Sequence, residues 1–136
     1  MKKVFGILMI VAATMTISSC AKYDEGSNFT LLSAKSRVIN VWKITAWTAN
    51  GNDIISFNTV DQIDVKKDNT VAVTSTVLGT TTDNGTWALS DDKATITFTD
   101  SSGSATTYTI VQLTKDIMKL SSISNGVTYI MTLGTK

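Results

Sequence analysis

The sequence predicts an all-β fold, an antiparallel up-and-down meander of about eight strands that closes into a small barrel. From Val38 onward, short segments rich in Thr, Val and Ile alternate apolar and polar residues, which is the pattern of half-buried strands. Turn signals such as Asn50-Gly51 separate these segments. The connections are short enough for hairpins, and a meander without long crossovers removes its edges by closing. A two-sheet sandwich is the alternative, but its Greek-key returns need longer loops.

The turn signals divide the chain into eight expected strands and one optional short one. The optional strand covers Ile54 to Phe57. Alternation assigns a buried face to the others, as in Trp87 and Leu89 or Ile96 and Phe98. The eight strands are expected near residues 38–48, 61–67, 70–78, 85–90, 94–99, 106–113, 117–122 and 127–133.

The N-terminus has the organisation of a secretion signal. Lys2 and Lys3 precede an apolar run that ends in small residues, and the run is too short for a transmembrane helix. The chain therefore divides into a signal peptide over residues 1–19, a tether over residues 20–37 and a β domain over residues 38–136.

The end of this signal, Ile17-Ser18-Ser19-Cys20, resembles the bacterial lipobox. The resemblance implies that Cys20 is lipidated and becomes the first residue of the mature protein, whose partner is then the membrane. Ala21 follows, without the acidic residue that retains lipoproteins at the inner membrane, so an outer-membrane location is expected, on the periplasmic face or the cell surface. The pair Asp24-Glu25 is either a surface-export mark or a solvated part of the tether.

The composition of the sequence excludes several common kinds of catalytic and binding site. Without Lys2 and Lys3 the chain has 10 basic and 11 acidic residues, a net charge of −1, which argues against nucleic acid as a partner. The sequence has no His, and its one Cys is the lipobox residue. A Ser-His or Cys-His nucleophile and the usual zinc or copper ligands are therefore excluded, and no phosphate-binding loop is present. We expect no enzymatic activity, no cofactor and no metal site.

Several short motifs together resemble a known family. They are Val41-Trp42-Lys43-Ile44, Asn50-Gly51, Lys67-Asp68-Asn69-Thr70, Gly85-Thr86-Trp87-Ala88-Leu89-Ser90 with Asp91, and the segment from Tyr108 to Asp116. In this combination the chain is similar to the small lipocalin-like barrel lipoproteins of Bacteroidota-type bacteria. It departs from true lipocalins at Asn40, where they have the glycine of Gly-x-Trp. The resemblance implies a lipocalin-like shape and a non-catalytic envelope protein.

Four aromatic residues in the strand patterns are candidates for lining a ligand site: Trp42, Trp87, Tyr108 and Tyr129. Core packing is the favoured interpretation, because eight-stranded barrels are just wide enough for side chains to fill. Strands of roughly seven residues also imply that any pocket is small. The chain is thus expected either to bind a small apolar ligand, a glycan or a partner protein, or to be a structural or accessory subunit of an envelope complex without a small-molecule ligand. A continuous internal void favours the first class, and a filled barrel with an exposed apolar patch the second.

Overall fold

The computed structural model of the protein describes residues 32–136. The expectations for the signal peptide, for Cys20 and Ala21, and for most of the tether lie outside the described residues. The described chain holds one short helix, one 3₁₀ turn and nine strands. They are α1 (Ala34–Val38), β1 (Asn40–Ala49), β2 (Asn52–Asp53), the 3₁₀ turn (Ile55–Phe57), β3 (Val60–Val65), β4 (Thr70–Ser75), β5 (Thr81–Leu89), β6 (Thr95–Thr99), β7 (Ala105–Leu113), β8 (Ile117–Ser124) and β9 (Val127–Thr135).

Eight of the strands form a closed antiparallel barrel, as the sequence predicts. Each pairs with the next along the chain, and β1 pairs with β9 to close the sheet. The two-residue strand β2 is an addition that extends only the end of β1. A sandwich is excluded because one continuous ladder runs around the whole sheet.

The hairpin turns also follow the predicted chemistry. Asn50 and Gly51 have φ of 47° and 81°, and Asn125 and Gly126 have 51° and 76°. Positive φ at both central residues is the requirement of the type I′ turn.

Several expected strands are wrong in their bounds. The first begins at Asn40 rather than at residue 38, because Val38 ends α1, and the strand expected from residue 85 begins at Thr81. Ile55–Phe57 is a 3₁₀ turn rather than a strand, because the Asp53 carboxylate accepts the Ile55 backbone N–H at 2.9 Å and diverts the chain from the sheet. Strand β4 ends at Ser75 instead of residue 78, because its partner β5 begins only at Thr81. Val77 and Leu78 consequently lie in a loop, 62% and 97% exposed.

The two ends of the barrel differ. The end that we call the closed end carries the turns 66–69, 90–94 and 114–116, and α1 packs there beside Asn69 and Leu113. Ala34, Arg37 and Val38 of α1 are buried there, and the Arg37 guanidinium donates to the Leu113 carbonyl oxygen at 2.5 Å. The opposite end, which we call the open end, carries the turns 50–51, 76–80, 100–104 and 125–126 and has no α-helix among residues 32–136. The 3₁₀ turn Ile55–Phe57 lies at this end, and its Ile55 packs, partly buried, against the core.

Three bulges change which residues face the interior. In β1 one extra residue, Thr45, stands between the Ile44–Leu133 and Ala46–Thr132 pairs. Similar shifts interrupt β3 between Val60 and Gln62 and β7 between Ile110 and Gln112. Each bulge reverses the in-and-out alternation beyond it, because one unpaired residue is added to a repeat of two.

Candidate functional site

The barrel interior is filled toward the closed end and hollow toward the open end. A cavity of about 190 Å³, here called the first chamber, lies between the inner faces of β3 to β9. Its walls are mostly apolar, and the polar residues cluster where it meets the open end. The apolar wall comprises Ile63, Val71, Val73, Phe98, Tyr108, Leu120, Met131 and Leu133, and the polar residues are Asp83, Thr99, Asp100, Ser104 and Thr106.

A second chamber of about 200 Å³ lies beside the first, toward β1. It is lined by three aromatic residues together with a small number of others. They are Trp47, Tyr108 and Tyr129, with Leu120, Ser122 and Met131. An apolar cavity of about 150 Å³ can hold benzene, so each chamber has room for roughly six to ten non-hydrogen atoms of a ligand.

Tyr108 stands where the two chambers meet, because it lines both of them. Its ring contacts Phe98 edge-on, with centroids 6.1 Å apart and an interplanar angle of 65°. Burial raises the pKa of the Tyr108 phenol above its usual value of 10.0, so the hydroxyl is neutral in ordinary conditions. Within residues 32–136 the hydroxyls of Tyr108 and Tyr129 make no hydrogen bond, so both are available to a ligand.

The two tryptophans proposed from the sequence lie elsewhere. Trp42 is 0% exposed and donates its indole N–H to the Val38 carbonyl oxygen at 2.8 Å. Trp87 is 2% exposed and donates to the Lys66 carbonyl oxygen at 2.9 Å, with Lys35 Nζ 5.8 Å from its ring centroid. Neither tryptophan lines a chamber, and both are packed in the core at the closed end. Of the four candidates, the structure brings Tyr108 and Tyr129 together at the cavity.

Trp47 lines the second chamber and was missed by the sequence analysis. Strict alternation from Trp42 and Ile44 would place Trp47 on the outer face of β1. The bulge at Thr45 turns it inward, opposite Met131. No feature of the local sequence marks that bulge.

Two carboxylates border the mouth of the first chamber. Asp83 on β5 accepts the Ser101 hydroxyl at 2.6 Å, and Asp100 accepts the Ser102 hydroxyl at 2.6 Å and the Ser104 N–H at 2.9 Å. The Ser102 hydroxyl and these backbone donors hold the pKa of Asp100 below its usual 3.8, so this carboxylate is ionised at neutral pH.

Two kinds of feature are absent from residues 32–136. No three His, Cys, Asp or Glu side chains come together in a way that could hold a metal ion. None of the helices in this range is both long and apolar enough to cross a membrane.

Comparisons with known proteins agree with the fold. A family model described as a lipocalin-like domain matches residues 38–120. Among solved structures, a lipocalin-like protein from Bacteroides uniformis is similar with a TM-score of 0.52 at 14% identity, covering 70% of this chain and 96% of that one. An uncharacterized protein from Bacteroides eggerthii is similar with a TM-score of 0.52 at 12% identity, covering 69% and 97%. No curated protein sequence matches the chain.

Proposed function

We propose that this chain, which belongs to the family of lipocalin-like domains, is a lipid-anchored envelope protein that binds a small, largely apolar ligand inside its barrel. The observation that carries the proposal is the pair of chambers under the open end, with apolar walls and few polar groups. Concave, mostly apolar sites with a few placed polar groups are typical of small-molecule binding. In a barrel with a purely structural role we would expect side chains to fill this space, because protein interiors are close-packed.

The proposed role is binding without catalysis. The lipocalin-like fold is typically a binding fold, and the family match indicates no enzymatic family. The chambers are lined by aliphatic and aromatic side chains, hydroxyls and two carboxylates, and the whole chain has no His. A general base paired with a nucleophile is therefore not supported by the residues at this site.

The anchor in this proposal is Cys20, at the outer membrane. Its support is the lipobox-like Ile17-Ser18-Ser19-Cys20 and the Ala21 that follows. Two or three acyl chains hold a protein stably at a bilayer, because each buried methylene contributes about 0.8 kcal/mol. The chain enters the barrel through α1 at the closed end, so an N-terminal anchor leaves the mouth of the cavity unobstructed.

A second candidate function is that of an accessory subunit that docks on a protein of the envelope. The observation that favours it is the loop 76–80, in which Leu78 is 97% and Val77 62% exposed. Exposed apolar side chains of this kind are typical of contact surfaces when they form part of a larger patch.

Indole, a neutral probe with a suitable size for one chamber, tests ligand binding. Calorimetric titration would use the purified protein in zwitterionic nanodiscs, with empty nanodiscs as the blank. The plugging variant is Thr106→Trp, because Thr106 is exposed and lines the mouth of the first chamber. The matched control is Thr109→Trp, an exposed position on the outer face of the same strand.

We expect indole to bind the unmodified protein and the control equally, and to bind the plugged variant at least tenfold more weakly. Absence of binding to the unmodified protein would reject a ligand site in the barrel, and the accessory-subunit function would then be the better one. Equal binding to all three proteins would reject the first chamber as the indole site.

A further inference from the structure

Charge is distributed unevenly along the barrel axis. Within residues 32–136 every Lys and Arg belongs to α1, to a closed-end turn, to the closed half of a strand or to the C-terminus. These basic residues are Lys35, Arg37, Lys43, Lys66, Lys67, Lys93, Lys115, Lys119 and Lys136. Within the same range, all charged residues at the open end are acidic. They are Asp53, Asp61, Asp83 and Asp100. The mouth of the cavity is therefore an electronegative surface.

Two of those four carboxylates belong to the cavity itself. Asp83 and Asp100 line the first chamber, on β5 and on the turn after β6. The Ser101 hydroxyl donates to one oxygen of Asp83, and the Ser102 hydroxyl donates to one oxygen of Asp100. The hydrogen bonds orient both groups at the point where the apolar wall ends and solvent begins.

From this arrangement we infer that the ligand is an amphipathic cation, with an apolar body in the first chamber and an amine at Asp83 and Asp100. The inference rests on the proposed function, because it names the ligand class of the same cavity. It goes beyond that function by fixing the charge of the ligand and the place of its headgroup.

The opposite charge is disfavoured by the same residues. A fatty acid or other anion entering the first chamber would bring its carboxylate against Asp83 and Asp100, and no Lys or Arg lines either chamber. Like charges at a binding site cost affinity and slow association, whereas complementary charge steers a ligand to the mouth. A neutral ligand gains the apolar contacts only.

Three compounds with one phenyl group and different charges separate these cases: 2-phenylethylamine, 2-phenylethanol and phenylacetate. Each would be titrated calorimetrically into the purified protein in zwitterionic nanodiscs, at low and at high salt. The test variants are Asp83→Asn and Asp100→Asn, in which the amide oxygen still accepts from the serines. The control is Asp91→Asn, which removes the same charge from the closed-end turn 90–94.

We expect the amine to bind about fivefold more tightly than the alcohol, which corresponds to a solvent-exposed charge pair. Phenylacetate should bind more weakly than both. The preference for the amine should fall to about twofold or less in the double variant Asp83→Asn/Asp100→Asn and at high salt, where exposed charges are screened. The control variant Asp91→Asn should keep the roughly fivefold preference for the amine.

Two other results overturn the inference and are distinguishable. Equal binding of all three compounds, or tighter binding of phenylacetate, rejects a cationic ligand but leaves a ligand-binding barrel in place. Binding of none of the three, together with failure of indole, rejects the proposed function itself.

Discussion

Trp47 on β1 lies directly opposite Met131 on β9, and both side chains line the second chamber. The pairing depends on the bulge at Thr45, without which Trp47 would face outward. One inserted residue thus gives the hollow part of the barrel an aromatic wall, while Trp42, three positions before the bulge, stays in the packed core.

The different surroundings of Trp42 and Trp47 predict different costs of truncation. Trp42→Ala should lower the free energy of unfolding by about 3–5 kcal/mol, because it opens a void in a fully packed region. Trp47→Ala should cost distinctly less, because the half-buried side chain already borders the second chamber. Urea unfolding of both variants measures the difference. Equal losses would mean that Trp47 is a core residue and that the second chamber is filled in solution.

Gly85 is predicted to be intolerant of any side chain. A Cβ at this position would lie 2.1 Å from the backbone carbonyl oxygen of Thr99, so β5 and β6 would have to separate. Gly85→Ala should cost about 1–3 kcal/mol or more, the range for overpacking. The control is Gly134→Ala, whose Cβ would meet only the Thr45 methyl at 3.2 Å. Thermal melts of the two variants should rank Gly85→Ala clearly lower, and the reverse ranking would contradict the close approach of β5 to β6.

Acid should destabilise the barrel through two turn carboxylates. Hydrogen bonds from the Thr70 hydroxyl and N–H lower the pKa of Asp68 below 3.8, and the Ser102 hydroxyl with the Ser104 N–H does the same for Asp100. A carboxyl group whose pKa is lower in the folded than in the unfolded state stabilises the fold at pH values above its unfolded-state pKa. This contribution is lost as the pH falls through the folded-state pKa. We therefore expect the free energy of unfolding to decline from about pH 5 downward.

The double variant Asp68→Asn/Asp100→Asn isolates this effect. It should show a smaller decline of stability in acid than the unmodified protein, because neither position can then take up a proton. Asp91→Asn serves as the control, since the Asp91 carboxylate makes no hydrogen bond within residues 32–136. An unchanged acid slope in the double variant would assign the decline to other groups.

Cys20 is predicted to carry the membrane attachment. Cys20→Ala should abolish incorporation of labelled palmitate and leave the precursor uncleaved at the normal site, because the thiol is the acylated group. Ser19→Ala, which keeps a small residue in the lipobox, is the matched control and should be processed normally. Palmitate labelling that persists in Cys20→Ala would place the lipid elsewhere.

The all-β meander and its hairpin turns follow from the sequence by itself. Alternation with a period of two and Asn-Gly turns are local signals, and the structure confirms the meander and its closure into a barrel. The absence of His is likewise a property of composition. Such features need no knowledge of what lies opposite a residue.

The position of the cavity was decided only by the tertiary structure. Bulges depend on how two strands must bend to close the barrel, so the bulge at Thr45 and the inward position of Trp47 leave no local mark. The side chain of Trp42 looks the same in the sequence as that of Trp47, yet α1 and the closed-end turns bury only the former. The purely acidic charge of the open end within residues 32–136 also arises in three dimensions, because residues far apart in sequence, such as Asp83 and Asp100, meet only when the strands between them pair.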